Sequence, residues 1–426
     1  MSITKALKVG VAGLAIGLFC QPGRATPQAQ TVSAQPYDLV IKGGHVIDPK
    51  NHVDTVTDVA IAAGKVARVA IDIPREQAKV AVNAGGLYVT PGLVDLHIHA
   101  FYSPEAEWGW GGGADSLPPD GFTFRSGVTT AVDAGSSGWR TFPEFKRQVI
   151  DRAKTRILAF LNIVGHGMRP VFEQDVSDME PRLTATRIRQ FPEILIGVKT
   201  AHYQGPEWEG VDRAVEAGQL AGVPVMVDFG DFVPARPYQD LVLKHLRPGD
   251  ISTHMYRDQV PLFDGTMKLL PYLSDARTRG VLFDVGHGGG SFLFRQAVPA
   301  VKLGWTPDFI STDLHALSMN GGAKDLTNVM SKFLNMGMPL LDVIARTTWN
   351  PAQHIKRSDL GSLSVGSVAD VAVLNLRKGE FGFLDVTGAR MSGTQKLECE
   401  LTVREGQVVW DLNGISKVDW EKVPGK

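Results

Sequence analysis

The chain has 426 residues, 43% of them hydrophobic, with 46 glycines and 25 prolines, which suits one large loop-rich domain joined to a smaller one. Lysine and arginine number 44 against 45 aspartates and glutamates, and no basic block or aromatic-basic stripe interrupts that balance. A reader of phosphate backbones is excluded on these grounds, so nucleic acid is not an expected partner.

The first residues read as a signal peptide. Lys5 and Lys8 precede an apolar run over 9–20, and Pro22, Gly23 and polar residues follow. Twelve or so apolar residues are too few to cross a bilayer comfortably, so export to the periplasm or beyond is expected, and a stable membrane span is not. Ala25 and Ala34 both offer a small residue for cleavage. Phe19 is bulky where a lipid-anchor site would carry a small residue, which argues against anchoring through Cys20. Cleavage at either place leaves Cys399 alone and the mature chain without an internal disulfide.

From Tyr37 short alternating strands begin: Asp38-Leu-Val-Ile-Lys, then Val59-Ala-Ile-Ala, a turn at Gly64-Lys65, and Val66-Ala-Arg-Val-Ala. Similar text returns at Asp370-Val-Ala-Val-Leu-Asn and Leu401-Thr-Val-Arg-Glu-Gly-Gln-Val-Val-Trp. Residues 35–90 and 358–426 are therefore expected to build one small β-sandwich from both chain ends, behind a leader and linker over 1–34. The stretch between them, 91–357, is close to the roughly 250 residues of a (β/α)₈ barrel. Eight apolar strand candidates fall in it, at 93–99, 129–134, 157–164, 194–200, 223–229, 250–255, 281–285 and 309–313. A doubly wound open sheet would show the same alternation of strand and helix. His97, Lys199, Asp228, His254, His287 and Asp313 nevertheless all fall at or just past the C-terminal ends of these runs. A barrel assembles its site from many strand ends at once, whereas an open sheet gathers ligands at one switch point.

In Val94-Asp-Leu-His-Ile-His99 the imidazoles are two residues apart on a strand and should project from one face. Two neutral nitrogens converging there suit a metal such as zinc, although His-x-His alone is a weak signal. Gly286-His-Gly-Gly-Gly-Ser lacks the Lys-Ser/Thr ending of a phosphate loop and the dinucleotide spacing, so nucleotide binding is not expected. Trp108, Trp110 and the glycines within 109–113 follow the first barrel strand; they would form an aromatic cover over the site or pack on the surface. His166 and His202 lie just past strands three and four, where a histidine faces substrate or serves as an ordinary loop residue.

The phrase Pro91-Gly-Leu-Val-Asp-Leu-His-Ile-His resembles the first-strand signature of the amidohydrolase superfamily, and Gly361-Ser-Leu-Ser-Val-Gly-Ser-Val-Ala-Asp-Val-Ala-Val-Leu resembles its return into the β-domain. Phe124-Arg-Ser-Gly-Val-Thr-Thr-Ala-Val-Asp-Ala-Gly-Ser-Ser-Gly, Leu246-Arg-Pro-Gly-Asp-Ile-Ser-Thr-His, Phe283-Asp-Val-Gly-His-Gly and Ile310-Ser-Thr-Asp-Leu-His are similar to the dihydroorotase-like amidohydrolase/deacetylase branch. The resemblance implies two divalent metal ions, zinc being expected, held by His97, His99, His254 and Asp313 and bridged by a CO2-derived carbamate on Lys199. A lysine among apolar strand residues is costly when charged, and a neutral amine can take up CO2. Without the resemblance Lys199 reads as a strand-end lysine reaching for solvent, and Asp313 as a helix cap. Asp313 is implied to accept the proton of the attacking water and to pass it to the leaving group.

Strand five departs from the pattern, because Val225-Met-Val-Asp228-Phe-Gly carries aspartate where the family has histidine. Three outcomes stay open: Asp228 ligates through oxygen, His287 is recruited from strand seven, or the site holds one metal. If His287 is no ligand, a substrate contact or a structural role is left to it. The expected activity is hydrolysis of an amide or ester bond in a small acylated substrate. A cyclic-amide hydrolase of the dihydroorotase or hydantoinase kind is the rival, and an inactive barrel serving as a binding scaffold is the alternative from another class. A homo-oligomer is compatible with the sequence.

Overall fold

The computed structural model describes residues 35–103, 109–230 and 233–423; the expected leader and Trp108 lie outside them. No helix among the described residues is long and apolar enough to cross a membrane.

The early alternating text forms β1 (Tyr37–Asp48), β2 (Val53–Ala62), β3 (Lys65–Ala70), β4 (Ala78–Asn83) and β5 (Tyr88–Pro91). β1 is long enough to serve two partners on one edge, its first half pairing in parallel with β4 and its second with β5, while its antiparallel pairing with β2 is interrupted by a register shift between Ile41 and Gly44.

The barrel strands follow as β6 (Leu93–Ile98), β7 (Val128–Gly138), β8 (Arg156–Asn162), β9 (Leu195–Thr200), β10 (Val225–Val227), β11 (Ile251–Ser252) and β12 (Leu282–Phe283), each parallel to the next. Residues from successive strands (Leu96, Val132, Leu158, Phe160, Ile196, Met226, Ile251 and Phe309) fill the interior as one apolar cluster. The opposite strand faces join a larger cluster with the surrounding helices, among them Glu209–Ala221, Phe294–Lys302 and Leu326–Asn335.

The eighth run is present without being a regular strand. Phe309 bridges Asp284, and Leu314 bridges Ile98, which closes the ring. Between those bridges the backbone donors go elsewhere: Ile310 N to Arg346 O at 3.1 Å and Thr312 N to the Asp95 carboxylate at 3.1 Å. Asp313 then turns to a φ of 47°, so the ladder cannot continue.

The chain returns as β13 (Val371–Leu384), β14 (Arg390–Arg404) and β15 (Gln407–Asp411). β13 pairs with β5, so strands from both ends join in one eight-stranded sheet ordered β15-β14-β13-β5-β1-β2-β3, with β4 on β1. Both chain ends are hydrogen-bonded into this one mixed sheet, joined edge to edge by the β5–β13 pairing. Leu39, Val59, Val82, Val371, Val373 and Leu401 share one core beneath it. The hairpin of β13 and β14 also runs further than the apolar text indicated. Its outer part is polar, and it is held by Asn335, whose amide donates to Gln395 O at 2.7 Å and accepts from Thr394 N at 2.9 Å.

Candidate active site

The His-x-His pair reaches the barrel mouth through a break in the strand. A register shift between Asp95 and Ile98 interrupts the β6–β7 pairing: Leu96 belongs to the interior cluster, while Ile98 packs with the outer one. Such an irregularity at a strand end re-aims side chains, and simple alternation does not foresee it.

His97 and His99 are buried, and their Nε2 atoms lie 3.4 and 3.1 Å from Asp313 Oδ1. That oxygen is buried and makes no hydrogen bond among the described residues. The donor atoms of His97, His99 and Asp313 all lie within 4.8 Å of one another. Two imidazole nitrogens and a carboxylate oxygen converging without bonding to each other are a donor set that fits a divalent cation. The outer nitrogens are held: His97 Nδ1 meets Thr253 Oγ1 at 3.1 Å, and Thr253 donates to Asp284 at 2.8 Å; His99 Nδ1 meets Ser136 Oγ at 2.9 Å.

Lys199 is fully buried on β9, with Nζ 3.1 Å from His97 Nε2. Its stem lies against the backbone of Gly135, where an added Cβ would come within 2.6 Å of Lys199 Cβ and Cγ; Gly135 also has a φ of 86°, so glycine is required there twice over. Burial draws the amine below the usual lysine range, against the opposing pull of Asp228 and Asp313. Burial and the neighbouring Lys199 together lower His97 to about 4, leaving its imidazole neutral at ordinary pH.

Asp228, whose charge also acts on Lys199, stands just past β10. Its Oδ2 is 3.2 Å from His254 Nε2 and 3.1 Å from His202 Nε2. Burial would raise this carboxyl, but the imidazoles of His254 and His202 outweigh it and hold Asp228 well below the ordinary carboxylate range. His254 Nδ1 donates to Gly286 O at 2.6 Å, and His202 Nδ1 faces both oxygens of the buried Glu173 at 3.2 Å. Burial works against charge on His202, yet Glu173 and Asp228 prevail and hold it well above the usual imidazole value. His202, His254 and Asp313 all carry positive φ, at 55°, 62° and 47°. Non-glycine residues in that region store strain, and they gather at functional sites.

His287 is not gathered with these donors. Its Nε2 meets Lys332 Nζ at 2.6 Å, its Nδ1 meets Gly288 O at 3.0 Å, and its ring stacks on Phe292. Recruitment of His287 to complete the second set is thus contrary to the geometry, because both ring nitrogens are already engaged away from it. His166 also stands apart, bonded to Asp178 at 2.8 Å and stacked on Phe172. Trp110 does take the covering position, with ring centroids 5.9, 5.8 and 5.6 Å from His99, His202 and His315. Beside it a cavity of about 330 Å³ opens, lined by Trp110, Glu173, Gln174, His202, Gln204 and Arg257.

Sequence reasoning gave no role to Glu173, Ser136, Asp284 or Asp95. Asp284 accepts from Thr253 and Ser311, and Asp95 binds the Thr312 hydroxyl at 2.6 Å. Burial pushes Asp95 up to about 7. The only available signal was an acidic residue inside an apolar strand, and Glu173 lacked even that.

Comparison with known proteins agrees with this geometry. A deacetylase of Brucella anthropi is 34% identical over 354 residues, covering 79% of this chain and 84% of that protein. The chain belongs to the amidohydrolase superfamily. The Amidohydrolase family description matches residues 293–409 directly. Among solved structures, an adenine deaminase superposes with a TM-score of 0.79 at 27% identity, covering 88% of this chain and all of that one. A dihydroorotase superposes at 0.75 with 28% identity, covering 88% and 99%. An amidohydrolase with this barrel, and with a His-His-Asp donor set at its mouth, is a metal-binding hydrolase acting on carbon–nitrogen bonds or their acyl analogues.

Proposed function

We propose that this amidohydrolase is a deacetylase-like enzyme, cleaving an amide or ester bond of a small acylated substrate with two divalent cations, zinc by the nitrogen and oxygen character of the donors. The observation that carries this reading is a buried lysine that accompanies two donor sets, His97, His99 and Asp313 in one and His254 and Asp228 in the other. A carbamate on Lys199 would offer two oxygens and a negative charge between them, and a buried amine with depressed basicity is the form that takes up CO2. When bound there, the cations would lower the pKa of water and polarise the acyl carbonyl.

The chain's own residues do the rest. Asp313 accepts the proton of the attacking water and returns it to the leaving nitrogen or oxygen. Trp110 covers the mouth and excludes bulk water; its buried Nε1, which has no hydrogen-bond partner among the described residues, is available to a substrate oxygen. Substrate enters through the cavity beside Trp110 and Arg257.

The test is metal analysis of the purified protein, with a screen of N-acetyl amino acids, acetylated hydroxy acids and cyclic ureides before and after exhaustive dialysis against chelator. Activity should vanish with the metal and return with added zinc. Undiminished turnover by metal-free protein would overturn the reading. The structural likeness to a dihydroorotase favours a second reading, hydrolysis of a cyclic amide, and preferential turnover of the ureides would establish it. A scaffold role fits less well, since inactive relatives lose several donors and here one strand position is altered.

We also read residues 91–357 as the barrel domain and 35–90 with 358–426 as its β-domain companion. Export is proposed on the basic-apolar-polar order of the first 34 residues. N-terminal sequencing of protein from a periplasmic fraction should begin after Ala25 or Ala34; an intact Met1 on active cytosolic protein would count against it.

A further inference from the structure

We propose that His202 supplies the imidazole that strand five lacks, so that the second cation is held by His202 and His254 with Asp228 between them. The inference rests on the two-cation reading above and assigns that site a donor from strand four's exit loop.

A ligating imidazole presents one nitrogen to the ion and has the other fixed by a carboxylate, a carbonyl or a hydroxyl, which sets tautomer and orientation. His97, His99 and His254 all follow this rule, with Nδ1 held by Thr253, Ser136 and Gly286 O, and Nε2 turned to the donor sets. His202 follows it too: Nδ1 faces Glu173 and Nε2 stands 3.1 Å from Asp228 Oδ2. His287 breaks it, because Lys332 takes the Nε2.

The imidazoles of His202 and His254 are both turned toward one carboxylate oxygen. His202 Nε2 and His254 Nε2 sit 3.1 and 3.2 Å from the same oxygen of Asp228, close to the 3.1 and 3.4 Å that separate His99 and His97 from Asp313 Oδ1. The backbone is shaped to deliver His202 there. Residue 202 takes a left-handed φ of 55°, and Gly230 packs so close that an added Cβ would stand 2.9 Å from His202 Cα. Gln174 fixes the same turn by donating to His202 O at 2.8 Å.

An aspartate at position 228 fits this arrangement. Its shorter side chain leaves room for an imidazole arriving from the neighbouring strand, and the pair replaces one neutral nitrogen by a nitrogen and an anionic oxygen. Glu173 then has a role as the positioning residue that aims His202.

The test is zinc and cobalt titration of metal-stripped full chain, reading bound ions per chain by elemental analysis, affinities by chelator competition, and the visible spectrum of the cobalt form. Wild type should bind two ions. His202→Ala and the milder His202→Gln should weaken one of them by about 100-fold or more and change the cobalt spectrum, while the other ion's affinity stays as it was. Adding Asp228→His to His202→Ala, which restores the family's histidine, should recover the second ion. Glu173→Gln should weaken the same ion by roughly 10–100-fold, as loss of an outer-shell partner does. Two ions bound with wild-type affinity by both His202 variants, with only KM raised, would overturn the proposal and make His202 a substrate contact. If wild type binds a single ion, the two-cation reading fails by itself; the His202 assignment then stands only if His202→Gln weakens that ion, and falls if it does not.

Discussion

Replacing Lys199 by alanine is expected to cost the protein most of its metal and all but a trace of its activity, with partial return of both when a small carboxylic acid is supplied. Lys199 is buried beside His97 and is acted on by the charges of both Asp228 and Asp313. Its removal should therefore cost more than the roughly 10–100-fold that follows loss of an outer-shell partner. Packing makes the site receptive to rescue: the lysine stem is fully buried against Gly135, so alanine leaves an enclosed space beside His97. A short acid such as formate or acetate would bring the two oxygens that the carbamate brings. Metal per chain, and turnover with and without added acid, are the measurements. Wild-type activity in Lys199→Ala would remove the bridge from the account, and loss of metal without rescue by any small acid would leave Lys199 a structural residue.

The sequence was most legible where chemistry and period coincide. His97, Lys199, Asp228, His254 and Asp313 could be placed because each ends an apolar run, and a barrel brings strand ends together. Apolar runs also marked the first seven barrel strands, although β10 to β12 are shorter than the runs that announce them. What stayed hidden depends on backbone irregularity or on distance along the chain. The break in β6 that re-aims the histidines leaves no trace in the alternation pattern. The sequence offered His287 for the open metal position and left His202 as a substrate-facing or loop histidine; the structure separates them through partners far away in sequence, Glu173 for His202 and Lys332 for His287. A lysine inside the helix Leu326–Asn335 gives no hint that it reaches a loop some forty residues earlier. The joining of both chain ends was readable from their shared style, but their edge-to-edge pairing through β5 and β13 was not, since strand order depends on tertiary contacts.

Asp313→Asn should separate holding a cation from moving a proton. Asparagine keeps an oxygen of nearly the same reach, and it tolerates the left-handed backbone that residue 313 adopts. It cannot accept a proton. The fold and the bound metal should therefore persist, while kcat falls by about 10²–10⁴-fold, the usual contribution of a positioned general base. The loss should also depend on the leaving group. An amide nitrogen must be protonated as it departs, so the aspartate acts twice, first taking the proton from water and then giving it up. An activated ester departs without that second step, so its turnover should suffer less than that of an N-acetyl substrate in the same variant. Equal losses on both would mean that Asp313 serves only the attack on the carbonyl. A kcat within tenfold of wild type, with full metal content, would show that another group receives the proton.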